Sequence, residues 1–236
     1  MRWERIEYSV RVSHRAKRVI LKVGVNGLEV VVPRWFGKRR LPEILEAHRD
    51  WIEKEIQRVK EFPAPAAPEC VNLNAIDENW QVTYQPPPGP ASKGRFLVEE
   101  SASKQLLIQG DAGDVRGVSS ALTRWLHQKA HAHLVPWLDE ISREVDIPFE
   151  KATVRGQSTR WASCSRLGNI SINRSLLFLP RQLVRHVFLH ELCHIRALNH
   201  SPEFWNLFHR LEPDCRELEV AVRKANGYVP RWVSLR

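Results

Sequence analysis

Two proline clusters limit how this chain can fold more than any other feature of its sequence. They are Pro63-Ala64-Pro65-Ala66-Ala67-Pro68 and Pro86-Pro87-Pro88-Gly89-Pro90. Proline fixes φ and lacks a backbone N–H, so neither segment can form the interior of a helix or of a central strand. We therefore interpret the first cluster as a linker and the second as a loop.

The residues around the linker predict a β-rich N-terminal portion, residues 1–112. Two β-branched runs, 18–25 and 28–33, flank Asn26-Gly27, the dipeptide most typical of a tight hairpin. Apolar residues at helical spacing predict one helix at about 42–62. Further strands are predicted at about 71–76, 80–85, 95–100 and 105–109.

The remaining residues, 113–236, predict a mainly helical second domain. A helical pattern covers 114–145, and Pro136 is expected to kink that helix or split it in two. Short strands are predicted at 152–155 and 169–173. Further helices are expected at 181–198, from Pro202 to about 211, and from Pro213 to about 226. The expected fold class is therefore α+β.

The composition narrows the location and the chemistry. The hydrophobic fraction is 43%, yet no run approaches the roughly 18 apolar residues that a membrane helix needs. The first residues also lack an apolar leader, so we expect a cytoplasmic protein without a membrane span. The four cysteines are widely spaced and form no C-x-x-C pair, which favours reduced thiols and leaves histidine and carboxylate as metal ligands.

A short segment in the predicted helix 181–198 indicates a metal site. His190 and His194 are four residues apart, so a helix projects both imidazoles from one face, where they can bind one ion. Glu191 lies beside them and is suited to act as a general base toward a metal-activated water. Zn²⁺ is the expected ion, because it lowers the pKa of water and polarises a carbonyl group.

A third ligand must come from elsewhere in the chain. His200 is the preferred candidate, since a turn around Asn199 in the left-handed conformation can bring it back toward the metal. Glutamates on later helices stay open as alternatives: Glu203, Glu212, Glu217 and Glu219. His186 shares the ligand face, but three residues at i, i+4 and i+8 span about 12 Å, too far for one ion.

The motifs, taken together, resemble one known family. They are Arg160-Trp161-Ala162-Ser163-Cys164-Ser165, Gly168-Asn169-Ile170-Ser171-Ile172-Asn173, His190-Glu191-Leu192-Cys193-His194, Asn199-His200-Ser201 and Phe204-Trp205. The sequence is similar to the YgjP-like (DUF45) metallopeptidases, relatives of the SprT-like zincins. The resemblance implies a zincin-like catalytic domain acting on peptides or proteins, with His190, His194 and His200 as zinc ligands and Glu191 as catalytic acid and base. One departure is Ala162, where the family commonly has glycine.

Other residues receive weaker assignments. The strand 169–173 is expected to offer a free edge to an extended peptide. Core packing is expected for Trp161, Cys164, Phe204 and Trp205. Oxyanion stabilisation is open to Arg160, Asn173, His209 and Tyr228.

An alternative function also stays open. The net charge of +9, concentrated at the two ends of the chain, is compatible with a nucleic-acid-associated zinc protein, or with a protease that acts on nucleic-acid-bound proteins.

Overall fold

The structure, a computed structural model, describes residues 2–3, 6–14, 16–24, 27–61, 66–87, 89 and 94–235. Backbone contacts divide the chain into two compact units, Met1–Ala66 and Ala67–Arg236. Each unit has a hydrophobic core of its own. The mixed α+β class that the sequence predicts is confirmed.

The first unit combines a four-stranded sheet with two helices. The strands are β1 (Arg2–Trp3), β2 (Ile6–Ser13), β3 (Ile20–Gly24) and β4 (Gly27–Pro33), in the order β1-β2-β4-β3. Strands β3 and β4 pair antiparallel with Gly24 opposite Gly27, as the hairpin prediction requires. Asn26 lies outside the described residues, and Gly27 has a φ of +86°, which glycine adopts without strain.

Two helices, α1 (Leu41–Ala47) and α2 (Arg49–Glu61), replace the single helix predicted at about 42–62. The break falls at His48, whose backbone has φ −118° and ψ 18°. Its Nδ1 donates to the carbonyl oxygen of Ile44 at 2.9 Å, while its backbone N–H bonds Leu45 instead. The side chain thus occupies the acceptor that a regular helix needs.

The second unit begins with a sheet of four strands and a long helix. The strands are β5 (Cys70–Leu73), β6 (Glu78–Gln85), β7 (Leu97–Glu100) and β8 (Gln105–Gln109), in the order β5-β6-β8-β7. Helix α3 (Val115–Glu144) shares one core with this sheet, in which Trp80 and Leu106 are buried together with Leu122. Because that sheet buries its apolar side with the later helices, the chain divides at residue 66 rather than near the predicted boundary at 112.

Helix α3 passes through Pro136 as one element, so the proline does not split it in two, and a kink stays the prediction. Leu134, Leu138 and Ile141 are buried on either side of the proline. Burial of such side chains contributes about 1.5–3 kcal/mol each, which is enough to offset one lost backbone hydrogen bond.

A three-stranded sheet and three helices complete the second unit. The strands are β9 (Lys151–Arg155), β10 (Ala162–Cys164) and β11 (Asn169–Asn173), in the order β10-β11-β9. The helices are α4 (Arg181–Arg196), α5 (Pro202–Leu211) and α6 (Cys215–Lys224). Strand β11 is therefore central, which corrects the expectation that 169–173 has a free edge. Within the described residues, no helix is long and apolar enough to cross a membrane.

Candidate metal centre

Helix α4 divides its surface between core and site. Leu189, Leu192 and Cys193 are completely buried in the core of the second unit. His190 and His194 project from another side of the helix and remain partly exposed. The helix is therefore fixed by apolar packing that does not involve the two imidazoles.

Three imidazoles converge on one point. The Nε2 atoms of His190 and His194 are 3.2 Å apart, and those of His190 and His200 are also 3.2 Å apart. All three ligand atoms lie within 4.8 Å of one another. Tetrahedral zinc with Zn–N bonds of about 2.0–2.1 Å separates its ligand nitrogens by about 3.3 Å. The donor set thus fits one zinc-sized ion.

The loop between α4 and α5 carries His200 to the other two histidines. After α4 ends at Arg196, Ala197 is extended, with φ −138° and ψ 105°. Asn199 is not among the described residues of positive φ, so the expected left-handed turn at Asn199 is wrong. Ser201 then begins α5 by accepting a hydrogen bond from the N–H of Phe204.

A backbone carbonyl sets the tautomer of His194. Its Nδ1 lies 3.1 Å from the carbonyl oxygen of Ala197. A carbonyl oxygen can only accept, so Nδ1 carries the proton and Nε2 keeps a lone pair directed at the other imidazoles. Metal-bound histidines are commonly oriented by such a bond.

Two phenylalanines form an apolar bed beneath the histidines. The Phe204 ring centroid lies 5.1, 4.7 and 4.8 Å from those of His190, His194 and His200. Phe204 and Phe208 are both completely buried. Burial, followed by the charge of His194, lowers the pKa of His190 to about 4. The neutral imidazole that metal binding requires is therefore favoured before any ion arrives.

Glu191 is a buried carboxylate beside this triad. It is only 7% exposed. Burial raises its pKa to about 7, against the opposing effects of a hydrogen bond from the backbone N–H of Cys164 and the charge of Arg160. A carboxyl group with a pKa near neutrality can both accept and return a proton.

Strand β10, which the sequence did not predict, is the outer strand beside Glu191. Trp161 O accepts a hydrogen bond from Asn173 N, and Ser165 N donates to Asn169 O. Alternation along an antiparallel ladder then directs the backbone groups of Ala162 and Cys164 away from β11. The N–H of Cys164 donates a hydrogen bond to the Glu191 carboxylate. The other backbone groups that point away from β11, the N–H and C=O of Ala162 and the C=O of Cys164, lie at the outer edge of the sheet.

The departure at Ala162 carries no strain. Ala162 lies in β10, is 7% exposed, and is not among the described residues with positive φ. Glycine is required only where the backbone must be left-handed, so alanine fits here.

His186 lies behind the triad, between two of the alternative ligand candidates. Its Nδ1 is 3.7 Å from Glu212 Oε2 and its Nε2 is 3.5 Å from Glu219 Oε2. The imidazole is 1% exposed, and burial lowers its pKa although Glu219 raises it. Glu212 and Glu219 thus face His186, and Glu203 and Glu217 are exposed on the surface.

Two of the four oxyanion candidates, Asn173 and His209, have structural contacts. Asn173 donates to the carbonyl oxygens of Gln157 and Arg160 and accepts from the N–H of Ser175. His209 Nδ1 lies 3.1 Å from the sulfur of Cys215.

The side chains expected to pack around the site do so. Trp161 donates its indole N–H to the carbonyl oxygen of Val222 at 3.2 Å. Both Trp161 and Trp205 pack partly buried against the core that contains Phe204. Burial raises the pKa of the Cys164 thiol to about 11, so that thiol stays protonated at neutral pH.

Three imidazole nitrogens around one point, with a buried carboxylate beside them, are the arrangement expected of a mononuclear metal hydrolase. The YgjP-like family model, described as a metallopeptidase domain, matches residues 17–224. The chain belongs to this family, as its motifs predict. It is therefore a metallopeptidase, a metal-dependent enzyme that acts on peptides or proteins. Its relation to SprT-like proteins stays a prediction.

Two of the solved structures found by comparison are similar to part of this chain. One is the metallopeptidase zymogen abylysin of Pyrococcus abyssi, at 22% identity over 37% of this chain and 89% of that chain, with a TM-score of 0.34. The other is the zymogen jannalysin of Methanocaldococcus jannaschii, at 22% identity over 38% of this chain and 92% of that chain, also with a TM-score of 0.34. A search of the curated proteins found no match.

Proposed function

We propose that this protein hydrolyses peptide bonds with one zinc ion held by His190, His194 and His200, and with Glu191 as general base and acid. The convergence of three Nε2 atoms within 4.8 Å carries the proposal. Zinc accepts such all-nitrogen sites with one position left open for catalysis. When bound, zinc supplies Lewis acidity that lowers the pKa of water and polarises the substrate carbonyl.

The proton transfers fall to Glu191. Its carboxylate accepts the proton of the attacking water and later returns it to the nitrogen of the leaving amine. A pKa raised to about 7 by burial suits both steps near neutral pH. The hydrogen bond from Cys164 fixes the orientation of the carboxylate.

The edge of β10 is the proposed seat of the substrate. An extended peptide can add as a further strand by pairing with the backbone groups that point away from β11, which are the N–H and C=O of Ala162 and the C=O of Cys164. The substrate carbonyl that pairs next to Cys164 would then lie beside Glu191. An open strand edge favours a peptide over a small non-peptide amide, which would require an enclosed pocket.

Metal content and turnover measured on four proteins test this proposal. Wild type and Glu191→Gln should each hold about one zinc per chain, whereas His194→Ala should lose it. His131→Ala removes an exposed histidine of α3 and is the matched control, which should keep both metal and activity. Only wild type and this control should cleave a generic peptide. Retention of stoichiometric zinc by His194→Ala, or full turnover by Glu191→Gln, would contradict the assignment.

A role on nucleic acid remains a second proposal. It is supported by the net charge of +9. Affinity for DNA or RNA that falls steeply with added salt would favour it, because binding to phosphates releases counterions. Absence of binding near physiological salt would remove it.

A further inference from the structure

A cavity of about 740 Å³ lies at the start of β10, in the second unit. Its volume is in the range of small-ligand pockets. Trp161 and Arg160, which immediately precede β10, form part of its wall. Val222 and Arg223 of α6 contribute as well. None of the three histidines lines it, so it is separate from the metal centre.

The wall of this cavity is strongly basic. Four arginines line it: Arg160, Arg174, Arg223 and Arg231. None of the described lining residues is an aspartate or a glutamate. Arg223 is also 3.3 Å from Glu219 on the exposed surface, so its charge is partly balanced. A cavity wall rich in arginine attracts an anionic group. Arginine forms paired hydrogen bonds with carboxylates and phosphates.

Hydrogen bonds hold the loop that carries Arg160 in place. Asn173 donates to the carbonyl oxygens of Gln157 and Arg160 at 2.9 and 2.8 Å. The indole of Trp161 ties the end of the loop to α6 through Val222. Such fixed walls reduce the ordering cost of binding a ligand.

The position of the cavity relates it to the proposed substrate. Trp161 and Cys164 are three residues apart, which is about 10 Å at roughly 3.3 Å per residue in a strand. A peptide paired with β10 and cleaved beside Glu191 would therefore reach the cavity about three residues from the scissile bond. The charge of Arg160 also acts on Glu191, which places both groups in one electrostatic neighbourhood.

We infer that this cavity binds an aspartate or glutamate side chain of the substrate, about three residues from the bond that is cleaved. The inference rests on the proposed peptidase function and names the class of substrate. A nucleic acid is less suited, because its affinity depends on phosphate contacts along a track. Here the four arginines line one cavity at the end of a strand.

Equilibrium binding provides the test, because it does not depend on turnover. The full chain with Glu191→Gln, loaded with zinc, is titrated into fluorescently labelled ten-residue neutral peptides. Each peptide carries one glutamate at a different position, and its partner carries glutamine there. We expect glutamate at one or two positions to bind about tenfold more tightly than glutamine, as for a hydrogen bond to a charged group.

Variants at the cavity give the second arm. Arg231→Gln should weaken the preference, and Arg231→Glu should weaken it further. Arg116→Gln removes an exposed arginine of α3 that does not line the cavity, and it should leave the preference unchanged. Zinc content and thermal midpoint confirm that each variant is folded.

Three results would overturn the inference. The first is equal binding of the glutamate and glutamine peptides at every position. The second is an equal effect of Arg116→Gln and Arg231→Gln on the preference. The third is displacement of the labelled peptide by a single-stranded oligonucleotide at a lower concentration than by the unlabelled glutamate peptide. Cleavage by wild type is scored separately. Cleavage without a preference for glutamate leaves the peptidase proposal intact and removes the cavity assignment. Selective binding of glutamate peptides without cleavage supports the cavity assignment and contradicts the peptidase proposal.

Discussion

Replacing Glu191 by glutamine should stabilise the metal-free protein, and the gain should grow with pH. The carboxyl group is 7% exposed, and burial raises its pKa to about 7 from its ordinary value of 4.5. The protonated form is therefore the one that the fold favours. Below pH 4.5 the group is protonated in both states and costs nothing, and as the pH rises through 7 the cost of the buried charge reaches its full value.

The magnitude follows from the two pKa values. A pKa of about 7 in the folded chain and 4.5 in the unfolded chain gives a cost of about 1 kcal/mol at pH 5 and about 3 kcal/mol at pH 8. Glutamine keeps an oxygen that accepts the hydrogen bond from Cys164, so the substitution removes the charge and little else.

Urea unfolding of wild type and Glu191→Gln, both stripped of metal, measures this difference at pH 5 and at pH 8. The stability gained by the variant should increase by about 2 kcal/mol between the two pH values. Zinc should reduce the gain at pH 8, because a nearby cation favours the ionised carboxylate. A gain that is the same at both pH values would refute the reasoning, since it could not arise from an ionisable group.

Three further outcomes are expected. Trp161→Phe should lower the free energy of unfolding by about 1 kcal/mol, since it removes the hydrogen bond to Val222, and urea unfolding would show no change if that bond contributes nothing. Phe208→Ala should lower the free energy of unfolding by about 3–5 kcal/mol. It should also weaken zinc binding, measured by competition with a chelator, because the Phe208 ring lies 5.5 Å from that of His190. Unchanged zinc affinity would show that the two phenylalanines do not orient the ligands. A fragment of residues 67–236 should fold and bind zinc as the full chain does, because its core is its own, and a fragment without a cooperative thermal transition would contradict this.

The local features of this chain were the ones that its sequence predicts well. Helix α5 begins at Pro202 and ends at Leu211, the bounds expected from a proline in the first turn and from the apolar spacing. The proximity of His190 to His194 follows from helix geometry alone. Both predictions depend on residues a few positions apart, and no distant contact competes with them.

The features that escaped prediction depend on distant partners. Strand β10 has only three residues, too few for alternation to be recognised, and its role beside Glu191 requires the pairing with β11. Gly168, whose φ is +72°, is the residue from which the turn between β10 and β11 could have been predicted. The division of the chain at residue 66 likewise reflects which side of a sheet is covered, and that is decided by helices far away in the sequence.

Separation of core and ligands on α4 bears on how the enzyme acquires its metal. Leu189, Leu192 and Cys193 fix the helix without help from the imidazoles, so the binding free energy of zinc is not needed for folding. Cells starved of zinc should then accumulate an intact, dormant enzyme rather than misfolded chains. With zinc as the proposed metal, activity should return within the time that zinc takes to reach the site, without new synthesis, and zinc supply would act as a reversible control on proteolysis.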